Sequence, residues 1–292
     1  MRRHRRTAFL LLLPSLLLVG LFVYGFIAWT GWLSLTNQND LLVPRPRFVG
    51  LDNYVRLFHN PRFLIDLKNT AVFSLIFIPG SLTLGLFGAL LLAGGVRFEG
   101  FFRTVFLLPM ALSFIVTGVA WRWLMNPSSG LNLLFEQLGL GLKSGWYTDP
   151  DVGIKAIALA AIWQLSGYTM ALYLAGLRAI PRELYEAAEV DGAGPLQSFR
   201  YLTLPLITPV TLSAVIVLGH VSLKIFDLVV AIAGSSGGPA FSSDVPALFM
   251  FITTFQANRF ADGAAISTVL LVLVSFLVVP YLSWSLRSEA RE

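Results

Sequence analysis

The sequence is 292 residues long, with 56% hydrophobic residues and only 13% charged residues. Its mean hydropathy of +0.74 is too high for a chain that covers itself with a water-compatible surface, so the composition excludes an ordinary soluble domain and indicates an integral membrane protein. The absence of cysteine excludes disulfides and thiolate chemistry, and the net charge of +5 requires no nucleic acid, since basic residues beside membrane spans meet anionic lipid.

Six uncharged segments are each close to, or longer than, the ~20 residues that a helix needs to cross the hydrocarbon of a bilayer. They are 7–39, 69–96, 104–121, 156–177, 201–223 and 263–286. The sequence therefore predicts an all-α membrane protein with six transmembrane helices. Two further uncharged stretches, 228–243 and 245–258, are too short or are broken by glycine, and we place them outside the hydrocarbon or at its edge.

The first span follows a basic cluster made of Arg2, Arg3, Arg5 and Arg6. The apolar run is longer than the core of a signal peptide and has no cleavage pattern, so we interpret it as a span. Because Lys and Arg close to a span resist translocation, the N-terminus is predicted to be cytoplasmic, and six spans return the C-terminus to the same side.

This topology divides the chain into three predicted parts. Residues 1–68 hold the first span and an outer interfacial segment. Residues 69–286 form a transmembrane domain with a cytoplasmic loop at 178–205, and residues 287–292 form a cytoplasmic tail.

Small residues recur at four-residue spacing in the second and fourth spans, a pattern that lets helix backbones approach closely. They are Gly85, Ala89 and Ala93 in the second span and Gly167, Ala171 and Ala175 in the fourth. The alternative is that glycine and alanine are simply common in spans.

The fourth span also places Trp163, Gln164 and Tyr168 at membrane depth. Gln164 and Tyr168 are four residues apart on one helical face, with Trp163 adjacent. Hydrogen-bonding side chains around an aromatic ring are typical of sugar binding, so these residues are candidates for a sugar path. The alternative is that the aromatic residues anchor the helix at the interface and that Gln164 bridges two helices.

The loop after the fourth span contains "EAAEVDGAG", residues 186–194, which is unusually acidic for this chain. Pro181 suits a first helical turn, and two acidic residues near it, Glu183 and Glu186, favour the positive end of the helix dipole. The sequence predicts a short helix from about Pro181 to Val190, a stop at Asp191 and Gly192, and a second short helix from Pro195. The alternative is a solvent-exposed loop whose acidic side chains serve only to keep it hydrated.

The fifth span begins near two prolines, Pro205 and Pro209, and carries a polar stripe. The prolines are predicted to kink this helix and transmit motion, the alternative being that they end the preceding helix. The stripe, which falls within about 60° on a helix, is predicted to face a translocation path. Its members are Ser213, His220, Lys224 and Asp227. The alternative is that Lys224 and Asp227, three residues apart, pair with each other.

A different class of protein is also compatible with that stripe. An ion- or proton-coupled secondary transporter would use His220, Lys224 and Asp227 as its coupling site, but it predicts inverted repeats and acids at mid-membrane, and the sequence has neither. A membrane-embedded enzyme is disfavoured because the acid cluster lies on a loop. The sequence has no GxxxxGK[ST] and no HExxH, so the chain is not expected to hydrolyse ATP itself.

The stretch "EAAEVDGAGPLQSFRYLTLPLITP" resembles, position for position, the EAA loop of permease subunits in binding-protein-dependent ABC importers. The segments "FVGLDNY", "FFRTVFLLP" and "DVPALFMF" are similar to the carbohydrate-uptake branch of maltose and glycerol-phosphate type, so nearly the whole chain is covered. The segments "YTDPDVG" and "GHVSLKIFDLVVA" look most like its glucose- or mannose-type members. The resemblance implies a type I ABC importer transmembrane fold and a transport subunit that is not an enzyme.

The resemblance also implies which residues couple this chain to an ATPase. Glu186 would meet a basic residue of the ATPase, Ala187 and Ala188 would allow close seating, and Gly192 would make the turn. The full predicted set is Glu186, Ala187, Ala188, Asp191, Gly192 and Pro205. The chain departs from the family pattern at Gly194-Pro195, which places the start of the second helix in doubt.

The implied assembly contains several partners. They are a second homologous permease subunit, two cytoplasmic ATPase subunits, an extracytoplasmic solute-binding protein, the sugar and membrane lipid. No cofactor is expected on this chain, since MgATP would bind the ATPase subunits. The expected location is the cytoplasmic (inner) membrane of a bacterium or archaeon.

Overall fold

The structure is a computed structural model that describes residues 12–39 and 46–289, with side chains described up to residue 283. Within these ranges the chain forms helices and turns without a strand, apart from an isolated bridge between Thr36 and Phe48. In chain order the principal helices are α1 (Leu12–Leu33), α2 (Asp52–Phe58), α3 (Pro61–Ala93), α4 (Glu99–Ala111), α5 (Phe114–Leu124), α6 (Leu131–Gln137), α7 (Gly153–Arg178), α8 (Arg182–Val190), α9 (Pro195–Leu206), α10 (Thr208–Leu223), α11 (Asp227–Ala233), α12 (Pro246–Gln256) and α13 (Phe260–Glu289).

The all-α prediction is confirmed, and four of the predicted spans are single helices. They are α1, α3, α7 and α13, each long and apolar enough to cross a membrane. The stretches placed outside the hydrocarbon, 228–243 and 245–258, contain only the short helices α11 and α12 and a single turn at Pro239–Phe241. The N-terminal arginines and residues 290–292 of the predicted tail lie outside the described residues.

The third and fifth predicted spans are not straight helices. The third consists of α4 and α5, which bend by 98° where the chain is extended at Leu112 and Ser113. The fifth consists of α9 and α10, which bend by 59° at Ile207. The predicted third span, the uncharged segment 104–121, therefore differs from the structure in two ways. Its first helix, α4, begins earlier, at Glu99, and the span is broken between α4 and α5.

The contacts of α4 and α5 with the region of α7 indicate that the bent pair makes one crossing. At one end, the guanidinium of Arg178, the last residue of α7, lies 2.7 Å from the carboxylate of Glu99, the first residue of α4. At the other end, the guanidinium of Arg122 lies 5.8 Å from the ring of Tyr147, just before α7 begins. The pair therefore extends from the C-terminal end of α7 to its N-terminal end.

The chain divides into two compact units. The first holds the described residues up to Leu64 together with Phe249–Val272, and the second holds Ile65–Leu248 with the described residues from Leu273. The helices α3 and α13 contribute residues to both. The three-part division drawn from the sequence at residues 68 and 286 stays a prediction.

The second unit is organised by the close approach of α3 and α7, as the small-residue pattern predicts. A methyl group added at Gly85 would lie 2.1 Å from the hydroxyl of Thr169. That hydroxyl donates a hydrogen bond to the carbonyl oxygen of Ser81 at 2.7 Å. Beyond this crossing the two helices enclose an apolar core with the start of α10, formed by Ala89, Leu92, Met170, Tyr173, Leu174, Leu177 and Ile207.

The first unit is held together by a buried amide. The side chain of Asn53 is 1% exposed, and its Nδ2 donates to the carbonyl oxygens of Ser34 at 2.6 Å and Thr36 at 2.7 Å. In the same unit the amide of Ala261 donates to the carbonyl of Gln38 at 3.0 Å. These bonds fasten the chain after α1 to α2 and to the start of α13.

Candidate functional site

The acidic loop after α7 forms two short helices, α8 and α9, as predicted. Pro181 has extended ψ and precedes α8 as its N-cap, so the helix begins one residue later than predicted. The helix ends with the two hydrogen bonds of a Schellman motif. The amide of Ala193 donates to the carbonyl of Ala188 at 2.9 Å, and the amide of Gly192 donates to the carbonyl of Glu189 at 3.0 Å. Gly192 has φ of +81°, so the predicted glycine turn is confirmed.

The second helix starts at the predicted place despite Gly194-Pro195. Gly194 is its N-cap, with φ of −74°, and its amide donates to the side-chain oxygen of Gln197 at 2.8 Å. The hydroxyl groups of Tyr185 and Thr203 lie 3.0 Å apart and join α8 to α9. We call residues 181–206 the coupling loop. Its two helices are linked by a side-chain bond as well as by the turn between them.

The predicted coupling residues lie on an accessible surface. Glu186, Ala187 and Asp191 are exposed, and Ala188 is half-buried. Apolar side chains in the same loop are also exposed, by 87% at Val190, 78% at Leu196 and 73% at Tyr201. Exposed apolar groups beside carboxylates are typical of a surface that another protein covers.

Two grooves border the coupling loop. One, of about 340 Å³, is lined in part by Ala188, Asp191, Gly192 and Tyr201. The other, of about 860 Å³, lies between the C-terminal ends of α3 and α7 and the loop. The loop is therefore shaped for contact on more than one side.

The junction of the coupling loop with α10 is bent, as the prolines predict, but the bend lies at Ile207. Ile207 is 1% exposed and belongs to the core between α3 and α7, whereas Pro205 is exposed in α9. Pro209 occupies the first turn of α10, where its missing N–H costs no hydrogen bond. A role for Pro205 in transmitting motion stays a prediction.

In the fourth span, the three residues predicted for a sugar path have different environments. Gln164 is 2% exposed, and its amide donates to the carbonyl oxygen of Leu112 at 2.8 Å. Leu112 lies at the break between α4 and α5, where a backbone carbonyl lacks its helical partner, so this bond supports the bridging interpretation. Trp163 is exposed and its ring lies 5.8 Å from that of Trp121, while Tyr168 is half-buried. A sugar-binding role for them stays a prediction.

The predicted polar stripe does not lie on one helix, because α10 ends at Leu223. Lys224 is its C-cap and Asp227 opens α11, so the 100° spacing that relates them to His220 does not apply. Ser213 is engaged, with its hydroxyl 2.7 Å from that of Tyr281. Within residues 12–39 and 46–283, no ion pair joins Lys224 to Asp227, so the pairing alternative is not observed either.

Sequence reasoning missed one contact within the coupling loop and one at the end of the helix that precedes it. Tyr185 and Thr203 are 18 residues apart, and Glu99 and Arg178 are farther apart still. Pairing between such distant positions leaves no periodic signal in one sequence. The one local indication of such a contact was Tyr185, an aromatic residue within the acidic helix α8.

Together, the bent spans and the exposed acidic coupling loop define a class: a helical, multi-pass membrane protein with a short helical loop between two of its spans. The family model of the binding-protein-dependent transport system inner membrane component matches residues 81–286. The chain therefore belongs to this family.

Relatives support the same conclusion over almost the whole chain. A probable ABC transporter permease protein of Pyrococcus horikoshii is 49% identical over 97% of this chain and 96% of the relative. A xylose/arabinose import permease protein of Haloferax volcanii is 37% identical over 91% of this chain and 83% of the relative.

The fold has a solved counterpart. A chain in the crystal structure of a bacterial alginate ABC transporter, in complex with an alginate pentasaccharide-bound periplasmic protein, has a TM-score of 0.77 and 23% identity. The match covers 94% of this chain and 93% of that chain. The predicted type I ABC importer transmembrane fold is thus confirmed.

Proposed function

We propose that this chain is a permease subunit of an ABC importer that moves a sugar across the cytoplasmic membrane. The composition, the spans and the family support a multi-pass transport subunit. The relative from Haloferax volcanii is named for xylose and arabinose, and one from Thermococcus litoralis, 33% identical over 96% of this chain, is named for trehalose and maltose. A sugar is therefore the substrate class that we assign, with a glucose- or mannose-like sugar as the narrower expectation.

The proposed assembly contains chains besides this one. A second, homologous permease subunit would complete the path, and an extracytoplasmic solute-binding protein would deliver the sugar. Two ATPase subunits would bind MgATP on the cytoplasmic side, where we also place the coupling loop and both termini. This chain would bind no cofactor and catalyse no reaction.

The observation that carries the coupling role is the exposure of Glu186 on a helix that is fixed at its C-terminal end and by a side-chain bond from its middle. The Schellman motif closes α8, and the Tyr185–Thr203 bond ties it to α9, which leads directly to the bend at Ile207. A carboxylate held in this way makes a charge-assisted contact of definite geometry with a basic partner. Movement of the partner would be passed through α9 to α10.

Replacing Glu186 with alanine tests this role. We expect association with the cognate ATPase subunits to weaken by about tenfold or more, because a charge-assisted hydrogen bond is worth roughly 1.5–3 kcal/mol. Glu186→Lys should weaken it further, since it places two positive charges together. Co-purification and sugar-stimulated ATP hydrolysis in liposomes are the measurements.

A matched control is Glu136→Ala, which removes an exposed glutamate from α6. It should leave association unchanged. If Glu186→Ala retains full association and transport, the alternative interpretation of the coupling loop as a solvated surface holds. Sugar uptake by the purified chain without ATP or ATPase would contradict the importer assignment as a whole.

A further inference from the structure

The backbone between α8 and the bend at Ile207 is not a regular α-helix. Within α9, residues Phe199–Thr203 form a π-turn, and the amide of Leu204 donates to the carbonyl of Phe199, five residues back. Shortly after it, Pro205 has no N–H to donate to the helical ladder. A π-turn inside a helix interrupts the regular hydrogen-bond pattern and is frequent at functional sites. The backbone of α9 alone is therefore less stiff than an α-helix of the same length.

A pair of side-chain bonds crosses the π-turn and continues to α8. The hydroxyl of Thr203 donates to the carbonyl of Ser198 at 3.4 Å, which uses its one proton. The hydroxyl of Tyr185, 3.0 Å away, is therefore the donor to the oxygen of Thr203. We call these two bonds the hydroxyl bridge. It joins the middle of α8 to the residue that precedes the π-turn and to the residue that ends it.

The hydroxyl bridge leads directly to the buried end of α9. Thr203 is 5% exposed, so little water competes for its bonds. Its carbonyl accepts from the amide of Ile207 at 3.0 Å. Ile207 belongs to the apolar core that α3 and α7 enclose. Hydrogen bonds thus connect Tyr185 in α8, through Thr203, to the residue at which the fifth span bends.

Open space lies beside the hydroxyl bridge. The groove of about 860 Å³ is lined by Ala93 and Arg178 at the ends of α3 and α7, and by Tyr185 and Thr203 from the coupling loop. Along this groove α8 is separated from the ends of the two spans. The bonds inside the coupling loop therefore decide how much of a displacement of α8 reaches Ile207.

From these contacts we infer that Tyr185 is a positioning residue for coupling. Its hydroxyl fixes α8 to Thr203, so that a displacement of α8 moves Ile207 instead of being absorbed by the π-turn. The inference rests on the proposed function, in which an ATPase moves the coupling loop. Glu186 is exposed and binds the partner in that proposal, whereas Tyr185 is half-buried and faces α9. Two adjacent residues would then separate binding from transmission.

Tyr185→Phe tests this separation, because it removes the hydroxyl and keeps the ring. The variant is assembled with the cognate second permease, ATPase subunits and solute-binding protein in liposomes, and sugar uptake and ATP hydrolysis are measured together. We expect the sugar taken up per ATP hydrolysed to fall by about threefold or more, the factor that one neutral hydrogen bond supplies. Association with the ATPase subunits should stay at the wild-type level, since Glu186 is unchanged.

Variants of Thr203 and a remote tyrosine provide the controls. Thr203→Val should lower uptake per ATP as Tyr185→Phe does, and Thr203→Ser, which keeps the hydroxyl, should restore most of it. The double variant should be no worse than Thr203→Val alone, because both changes remove the same bond. Tyr24→Phe removes a hydroxyl from a side chain of α1 that is 67% exposed, and it should behave as wild type.

The outcomes distinguish this inference from the proposed function. Thermal unfolding in detergent checks each variant, and Tyr185→Phe with Thr203→Ser decides the question if Thr203→Val does not fold. ATP-driven uptake with unchanged sugar per ATP in Tyr185→Phe would overturn the inference and leave the proposed function intact. So would an equal loss of association and uptake, which would mean that Tyr185 only shapes the docking surface. Wild-type uptake that needs no ATP would overturn the proposed function itself, and this inference with it.

Discussion

At the residue scale, the fold depends on positions where two backbones touch. A methyl group added at Gly167 would lie 2.0 Å from the carbonyl oxygen of Phe106, a backbone atom that cannot move aside without shifting α4. Gly100, also within α4, has no atom within 4 Å of the same added group. The two glycines therefore separate the effect of close packing from that of helix propensity.

Gly167→Ala is expected to destabilise the protein by about 1–3 kcal/mol, the usual range for overpacking a filled interior. Gly100→Ala should be neutral or stabilising by up to about 1 kcal/mol, because alanine is the better helix former. Thermal unfolding of both variants in the same detergent is the measurement. Equal unfolding temperatures would contradict the close approach of α4 and α7.

At the element scale, the coupling loop was predictable because its signals are local. Pro181, Gly192 and Pro195 mark starts and stops through their own backbone preferences, and the helices follow within one residue. The end of α10 at Leu223 was not predictable in this way, since the stretch from His220 to Leu228 has neither glycine nor proline. Extending helical periodicity through it produced a stripe that the structure does not contain.

The turn between α8 and α9 gives a prediction at this scale. Gly192→Ala forces a β-carbon into the left-handed region, which costs about 1 kcal/mol. We expect this to loosen the Schellman motif and lower sugar-stimulated ATP hydrolysis by roughly fivefold if the whole cost falls on the coupling geometry.

Two residues away, Gly194 offers the matched control. Its φ of −74° suits any residue, and an added methyl group would meet only the side chain of Gln197 at 3.8 Å. Gly194→Ala should therefore retain wild-type coupling. Equal loss in both variants would mean that the loop tolerates no side chain at all, rather than that Gly192 is required for its conformation.

At the scale of the whole molecule, composition predicts six crossings but not the path of each one. The uncharged segment 104–121 contains local signals of a break, with Pro109 in a single turn just before Leu112 and Ser113 as the N-cap of α5 just after it. The 98° angle between α4 and α5 depends on tertiary packing and does not follow from hydropathy, which is similar on either side of Leu112. Gln164, a polar residue in a different span, stabilises the break by donating to the carbonyl oxygen of Leu112. The topology therefore rests on contacts as well as on hydropathy.

Cysteine labelling tests that topology directly, because the chain has no cysteine of its own. Single cysteines at Arg97, Lys143 and Glu189 would lie before α4, between α5 and α7, and in the coupling loop. If α4 and α5 form one crossing, a membrane-impermeant maleimide should reach Lys143→Cys from one side and both other positions from the opposite side. Labelling of Arg97→Cys and Lys143→Cys from the same side would mean that α4 and α5 enter and leave by one face. That result would conflict with the contacts of Arg178 with Glu99 and of Arg122 with Tyr147 at the two ends of α7, since no re-entrant segment reaches both ends of a spanning helix.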